Sequence, residues 1–257
     1  MAQKRWKLTI EYDGTPFSGW QKQDNAQTVQ GAIEEAFYKF CQQDVSLQAA
    51  GRTDAGVHAM AQIAHFDLDY GDRPLTGFDL CKALNAHLWP KPVSIIQAQE
   101  VGPDFNARFD AKEKTYHYRI LVRPSPPALD RQRVWFRKYY LDVPAMREGA
   151  KYLCGHHDFT SFRDSQCQAK SPVRTLERLD VEDIPYDSAG GREIRIIARA
   201  QSFLHHQVRN MAGTLVLVGE GKWTPQDVRT ALEAKSRPAA GPTAPARGLY
   251  LVSIQYE

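Results

Sequence analysis

Apolar and polar residues in the first half of the chain switch between the two periods that distinguish strands from helices. Residues 6–12 alternate, which predicts a half-buried strand. After Thr28, the apolar residues Val29, Ile33 and Phe37 recur at helical spacing, with Thr28 as the cap. The same reasoning predicts a second helix capped by Thr76 and ended by prolines, and further strands over 46–50, 60–68 and 93–101.

The second half repeats this mixture of strands and helices. Alternation predicts strands over 114–122, 134–140, 173–183, 193–203 and 249–256, and helical spacing predicts helices over 144–153, from Leu204 and from Pro225. A Gly-Pro-Asp junction at 102–104 separates the halves. We therefore predict an α+β fold with an N-terminal half over 1–106 and a C-terminal half over 107–257, arranged around a common cleft.

Composition narrows the class of protein. A chain of 257 residues with 42% hydrophobic residues can bury a sizeable core, and its formal charge of +3 is uninformative. We expect no membrane span and no signal segment, and hence a cytoplasmic protein. The four cysteines have no paired short spacings, which favours free thiols in a reducing compartment.

One short run, AGRTDAGVH from Ala50 to His58, is too small and too polar to fill a core. Two glycines allow another molecule to approach the backbone closely, and predicted strands on either side hold the loop in place. Asp54 is therefore predicted to be displayed. The alternative is an Asp bonded to its own backbone in a glycine-bounded turn.

This run resembles the active-site loop of the tRNA pseudouridine synthase A family, whose pattern is G-R-T-D-x-G-V-H. Asn106 departs from the family pattern, where His is expected. Other family motifs recur in order along nearly the whole chain: YDGTPFSGWQ (12–21), TVQG (28–31), FNARF (105–109), KTYHYR (114–119), FTSFR (159–163), FLHHQVRNM (203–211) and APARGLYL (244–251).

The resemblance implies two RRM-like, ferredoxin-like halves, each a mostly antiparallel sheet with helices on one face, flanking a central active-site cleft. It implies a homodimer that isomerises uridine at positions 38, 39 and 40 of the tRNA anticodon stem-loop. Asp54 would be the catalytic carboxylate, with Arg209 paired to it. Tyr116 would stack on the uracil with its hydroxyl near the site of proton exchange, and Leu249 would lie against the base. Arg52 would face RNA phosphate or occupy the gap left by the displaced nucleotide.

Such an isomerisation breaks the bond from N1 to C1′ and joins C5 to C1′, without a redox step, so we expect no cofactor. The carboxylate can attack C1′ as a nucleophile or remove the C2′ proton as a base, and both routes stay open. A zinc site formed by Cys154, His156, His157 and Cys167 is disfavoured, because no C-x-x-C pair is present and adjacent histidines seldom bind one tetrahedral ion. We therefore predict no metal.

Basic residues concentrate between Ala107 and Tyr140. This segment contains nine basic residues, including Arg108 and Lys114, and only three acidic residues. Together with interleaved aromatic residues, this excess suggests nucleic-acid binding, and the alternative is a solvated surface. The family resemblance makes it a candidate tRNA-binding surface. Two other classes compete with the isomerase. A non-catalytic RNA-binding protein would need no Asp, and the RNP-type run of aromatic residues is missing. A glycoside hydrolase usually needs two carboxylates about the bond, and only Asp54 has a distinctive setting.

Overall fold

The predicted strand at the start of the chain is present and spans Lys4–Tyr12 in a computed structural model that describes residues 3–71 and 74–256. The chain divides into two units. The first contains the described residues up to Lys112 and those from Tyr250 onward, and the second spans Glu113–Leu249.

The elements are numbered in chain order. The helices are α1 (Val29–Cys41), α2 (Gly77–Leu88), α3 (Val143–Lys151), α4 (Gln207–Gly219) and α5 (Pro225–Glu233). The strands are β1 (Lys4–Tyr12), β2 (Gln48–Ala49), β3 (His58–Leu68), β4 (Val93–Val101), β5 (Glu113–Val122), β6 (Trp135–Arg137), β7 (Gly155–Asp158), β8 (Val173–Leu176), β9 (Arg178–Pro185), β10 (Arg192–Ala200) and β11 (Leu249–Gln255).

The sheet of the first unit has β1 at its centre, antiparallel to β3 on one side and to β4 on the other. β11 adds in parallel to β3, with Tyr250 opposite His58, and β2 pairs with β3. Alternate side chains of β1 are buried, as the period of two predicts. Phe37 of α1 packs against Phe66 of β3 with ring centroids 4.6 Å apart, so α1 covers this sheet.

The helices of the first unit begin where their sequence signals place them. The Thr28 side chain accepts a hydrogen bond from the Gly31 N–H, which satisfies a donor that the first turn leaves without a helical partner. At α2, Thr76 and Asp79 form a reciprocal capping box. These local bonds explain why both helix starts were predictable without tertiary information.

In the second unit, β10 lies between β5 and β9 and is antiparallel to both. β6 pairs in parallel with β5, and β7 and β8 form a separate antiparallel pair. α3 packs against α4, α5 and β9. The predicted α+β class with mostly antiparallel pairing is confirmed, whereas the division of the sequence after residue 106 stays a prediction.

Several predicted bounds were wrong. The strand predicted over 173–183 is interrupted at Glu177, whose N–H bonds instead to the Arg199 carbonyl. The helix predicted from Leu204 begins at Gln207, because His206 has a left-handed backbone with φ 61°. Strands predicted over 46–50 and 134–140 shrink to β2 and β6. The alternation of apolar and polar residues in the sequence continues over residues that a bend or a loop excludes from strand pairing.

Within residues 3–71 and 74–256, no helix has both the length and the apolar content needed to cross a bilayer.

Candidate active site

The loop that carries Asp54 joins β2 to β3 in the first unit. Along it, Arg52 is exposed, Thr53 is buried and Asp54 is half-buried, so the side chains before and after Thr53 lie outside the core. The Val57 N–H donates to the Asp54 carbonyl at 3.1 Å and closes a turn in which Gly56 has φ 76°. Asp54 thus lies in a glycine-bounded turn, the feature named in the alternative interpretation, and its side chain is half-buried at the margin of the core.

Thr53 anchors this loop to the core. Its Oγ1 lies 2.7 Å from the Tyr12 hydroxyl in a buried contact, and its carbonyl accepts from the Trp20 N–H at 3.0 Å. Gln62, which is fully buried, donates from Nε2 to the Gly51 carbonyl at 2.8 Å. Burial raises the pKa of Tyr12, so its hydroxyl keeps its proton at physiological pH. The residues that lead into Asp54 are therefore held by hydrogen bonds.

The segment 13–20 lies so close to the loop that only glycine fits at two positions. A Cβ added to Gly14 would lie 2.0 Å from the Val57 carbonyl oxygen. At Gly19, where φ is +93°, a Cβ would lie 2.8 Å from the Thr53 carbonyl oxygen. Both contacts are with backbone, which cannot rotate away as a side chain can. The two glycines thus let one segment brace the other.

His58, the first residue of β3, fastens the far end of the loop. It is buried, and its Nδ1 accepts from the Gly14 N–H at 3.1 Å. Its ring stacks on Tyr250 with centroids 4.7 Å apart. β11 therefore supports the Asp54 loop, although it lies about 190 residues further along the chain.

In the second unit, Tyr116 lies on β5 and is largely buried, with its ring edge-to-face against Phe203 at 5.1 Å. Tyr118 shares the same face two residues on and donates to the Pro245 carbonyl at 2.7 Å. Burial raises the pKa of Tyr118, so it serves as a hydrogen-bond donor. Tyr116 thus belongs to a packed aromatic face that fixes its ring.

Arg209 lies on α4, and a two-way link to Ala244 orients it. Its Nε donates to the Ala244 carbonyl at 2.8 Å, and the Ala244 N–H donates to the Arg209 carbonyl at 3.1 Å. The segment that includes Ala244 runs close to α4, since a Cβ on Gly213 would lie 1.8 Å from the Pro242 carbonyl oxygen. The buried Leu249 follows five residues after Ala244. Arg209 is therefore held by the segment that leads to Leu249.

The two histidines that precede Gln207 do not lie within α4. His206 lies at the helix cap, and His205 precedes it, because the left-handed backbone ends the helical path there. The Oδ2 atom of Asp164 lies 2.8 Å from Nδ1 of His206. A hydrogen bond from the Gln166 N–H, with the contact to His206, lowers the pKa of Asp164.

The basic segment 107–140 is less positively charged at its surface than its sequence indicates. Arg119 is bonded to Glu193 at 2.7 Å, Arg123 to Asp187 at 2.8 Å, and Arg137 pairs with Glu220. Burial alone would raise the pKa of Glu193, but hydrogen bonds from Arg119 and Arg195 outweigh it and lower that pKa. These three arginines serve the fold of the second unit.

Two other residues of the predicted RNA-binding surface are Arg108, which is exposed in the first unit, and Lys114, which is half-buried on β5. The structure thus places Asp54, Arg52 and Arg108 in the first unit. It places Tyr116, Lys114, Arg209 and Leu249 in the second.

The disfavoured zinc ligands have local roles. His157 Nε2 lies 2.8 Å from the Cys154 carbonyl oxygen, and His156 Nδ1 lies 3.0 Å from Thr175 Oγ1. Burial raises the pKa of the Cys154 thiol, which disfavours the thiolate that zinc requires. The expectation that the protein uses no metal stays a prediction.

Sequence reasoning missed the residues that support Asp54. Tyr12 belongs to the motif YDGTPFSGWQ, but alternation along the sequence identifies it only as the end of a strand. Gln62 carried a signal that could have been used, because a polar side chain among buried residues of a predicted strand requires partners. In a sequence, a polar residue within an otherwise buried strand next to such a loop is therefore a candidate for supporting it.

Comparison with known proteins agrees with these observations. The sequence profile of a family described as tRNA pseudouridine synthase matches residues 8–110 and 150–257. Three proteins called tRNA pseudouridine synthase A are similar to this chain over 98% of its length. They come from Rhodospirillum centenum (56% identity, 100% of that protein covered), Paramagnetospirillum magneticum (54%, 95%) and Rhodospirillum rubrum (51%, 87%).

The chain therefore belongs to the tRNA pseudouridine synthase family, and the resemblance inferred from the motifs is confirmed. It is an isomerase that converts uridine in tRNA to pseudouridine. The two alternative classes, a non-catalytic RNA-binding protein and a glycoside hydrolase, therefore do not apply to this chain.

Proposed function

We propose that the enzyme acts on uridines 38, 39 and 40 of the anticodon stem-loop and that Asp54 is its catalytic carboxylate. The observation that carries the assignment of Asp54 is the anchoring of Thr53. The Tyr12 hydroxyl and the Trp20 N–H hold Thr53 inward, so its neighbour Asp54 keeps a defined place at the margin of the core. A positioned group reacts faster because less motion must be restricted on the way to the transition state.

Asp54 starts the reaction by one of two routes. As a nucleophile it bonds to C1′ while the N1–C1′ bond breaks. As a base it takes the C2′ proton, and uracil leaves with the electrons of the N1–C1′ bond. In both routes the base turns and C5 bonds to C1′. The bond from Asp54 to C1′ breaks as this happens in the first route, and Asp54 returns its proton to C2′ in the second. The proton on C5 is then lost and N1 gains a proton. The product is an isomer of the substrate, and the carboxylate is regenerated.

Three residues of the second unit complete the proposed chemistry. Arg209 supplies the positive charge that keeps the carboxylate ionised, and its link to Ala244 restrains the guanidinium. Tyr116 stacks on the uracil and brings its hydroxyl to the site of proton exchange, while the buried Leu249 offers apolar surface to the base. In the first unit, Arg52 contacts phosphate or fills the gap that the displaced nucleotide leaves.

We also propose that the enzyme works as a homodimer in the cytoplasm and uses no cofactor. The bond exchange is redox-neutral, and none of its steps requires an external electron acceptor or donor. Sedimentation velocity across a range of protein concentrations tests the dimer. Activity after exhaustive chelation, measured on a prefolded anticodon stem-loop, tests the independence from metal without disturbing the RNA fold.

The decisive experiment replaces Asp54 by Asn and maps pseudouridine at single-nucleotide resolution in a tRNA that carries uridine at 38, 39 and 40. The amide is nearly isosteric with the carboxylate but is neither a base nor a nucleophile. We expect the native enzyme to modify these positions, and Asp54→Asn to bind the tRNA within a few fold and form no pseudouridine. Substantial turnover by purified Asp54→Asn, or modification elsewhere by the native enzyme, contradicts the proposal.

A further inference from the structure

The turn that follows Phe105 presents two adjacent side chains, Arg108 and Phe109, outside the core. Phe109 is 77% exposed, and the Arg108 guanidinium lies 5.8 Å from the centre of its ring. Single exposed apolar residues are common on protein surfaces and need no explanation. What distinguishes this pair is the number of bonds that hold its backbone in place.

Asn106 organises the turn. Its side-chain Oδ1 accepts from the N–H groups of both Arg108 and Phe109, at 3.0 and 3.1 Å. Asp110 closes the turn, with Oδ2 accepting from the Asn106 N–H at 2.8 Å. The side chain that departs from the family pattern is therefore the one that fixes the direction of the next residues.

Ala107 ties the turn to the sheet of the first unit. Its N–H donates to His65 Nδ1 at 3.1 Å, and its carbonyl accepts from the Tyr256 hydroxyl at 2.8 Å. Burial lowers the pKa of His65, so the imidazole is neutral and Nδ1 can accept. Burial likewise raises the pKa of Tyr256, so its hydroxyl keeps the proton that it donates. Both anchors persist at physiological pH.

The turn packs beside the start of the Asp54 loop. Ala107 belongs to a buried cluster with Ala50 and Ile63, and Ala50 immediately precedes the Gly-Arg-Thr-Asp run. Arg108 and Phe109 are therefore held beside the loop that carries the proposed catalytic carboxylate, within one unit of the structure.

We propose that Arg108 and Phe109 form an RNA-binding site beside the Asp54 loop, in which Phe109 stacks on an unpaired base and Arg108 binds a neighbouring phosphate. This site deepens the proposed function and rests on it. An aromatic face offers any base a stacking surface, and a guanidinium provides charge and hydrogen bonds for phosphate. The rigid turn leaves little conformational freedom to be lost on binding.

The chain supplies a matched control for Phe109. Phe78, at the start of α2 in the same unit, is 75% exposed, so Phe78→Leu removes an equally exposed ring. The variants compared are Phe109→Leu, Phe109→Tyr and Phe78→Leu. The probes are a synthetic anticodon stem-loop hairpin and a blunt duplex with the sequence of its stem. Binding is measured by fluorescence anisotropy, and circular dichroism checks that each variant is folded.

Loss of one stacked base raises Kd by about 5- to 150-fold, and we expect that range for Phe109→Leu on the hairpin. Phe109→Tyr keeps the aromatic face and restores native binding, and Phe78→Leu binds as the native chain does. The duplex, which has no unpaired base, binds all three variants equally. Arg108→Ala weakens both RNAs and lowers the slope of log Kd against log salt by about one phosphate contact.

Any one of three results would contradict the proposed RNA-binding site. Phe109→Leu could bind the hairpin as tightly as Phe78→Leu, Phe109→Tyr could fail to restore binding, or the duplex could lose as much affinity as the hairpin. Unchanged RNA binding with a shift to monomer in sedimentation would instead make the occupant a second copy of the chain. Because binding is scored without turnover, failure here is distinct from failure to find pseudouridine at 38–40.

Discussion

The Asp54 loop of the first unit and the Arg209 segment of the second are held by different means. The loop is braced by backbone contacts through Gly14 and Gly19 and by uncharged side chains, Tyr12 and Gln62. The Arg209 guanidinium is oriented by its own bond to the Ala244 carbonyl, beside one backbone bond from the Ala244 N–H to the Arg209 carbonyl. A position fixed by backbone contacts tolerates no added atom, whereas one fixed by a side chain is altered by changing that side chain. The four predictions below test this contrast.

The largest effect is expected at Gly14. Its Cβ in Gly14→Ala would meet the Val57 carbonyl oxygen at 2.0 Å, so the loop must move. A displacement near 1 Å costs about 100-fold in rate, and we expect at least that loss in single-turnover pseudouridine formation. Gly102→Ala is the control, because nothing lies within 4 Å of its added Cβ. Similar rates for the two variants would show that the loop is not braced at this point.

A loss no larger than that of Gly14→Ala is expected from changes at Arg209. Arg209→Ala removes both the charge and the bond to the Ala244 carbonyl, whereas Arg209→Lys keeps the charge but not the planar fork. We expect turnover to fall about 100-fold for Ala and about 10-fold for Lys, under single-turnover conditions. If Lys is as impaired as Ala, orientation of the guanidinium matters more than its charge.

Removing the Tyr12 hydroxyl tests a side-chain support of the loop. Tyr12→Phe leaves Thr53 Oγ1 buried without this partner, and the cost is about 1–3 kcal/mol of unfolding free energy. Adding Thr53→Val removes the stranded hydroxyl and should recover part of the loss. Urea unfolding of the two single variants and the double variant measures the coupling, and strict additivity would contradict a direct bond.

The smallest effect is a pH dependence that should distinguish the two regions. The lowered pKa of Glu193 means that its bonds to Arg119 and Arg195 stabilise the folded state above its ordinary value of 4.5. That contribution is lost as the pH falls below 4.5 and through the folded-state pKa. Tyr12, Thr53 and Gln62 do not titrate there, so the hydrogen bonds from Tyr12 to Thr53 and from Gln62 to the Gly51 carbonyl should persist.

Hydrogen exchange from pH 7 to pH 3, corrected for the intrinsic exchange rates, follows both regions at once. We expect amides of β5 and β10 to lose protection before the Trp20 amide, which donates to the Thr53 carbonyl of the Asp54 loop. Glu193→Gln should already be less stable at neutral pH and should show a flatter response below 4.5. Equal loss in the two regions would mean that Glu193 does not act locally.

Much of the fold followed from local patterns. The starts of α1 and α2 were predictable because capping bonds join residues three apart, and the alternation in β1 matches its buried face. The Asp54 loop was recognisable because small residues around a single carboxylate leave nothing to pack. The short extent of β2 and β6 was not predictable, since pairing depends on partners that are distant in sequence.

The sequence by itself determined the family, the displayed run around Asp54 and the alternation of strands and helices, because motifs, caps and periodicity are local properties. Only the tertiary structure decided that Arg119, Arg123 and Arg137 are paired with carboxylates, which removes them from the predicted RNA-binding surface. It likewise decided that Asn106 organises the turn before Phe109. A charge or an amide acts through the atoms that folding brings within hydrogen-bonding distance, and the order of residues along the chain does not contain those distances.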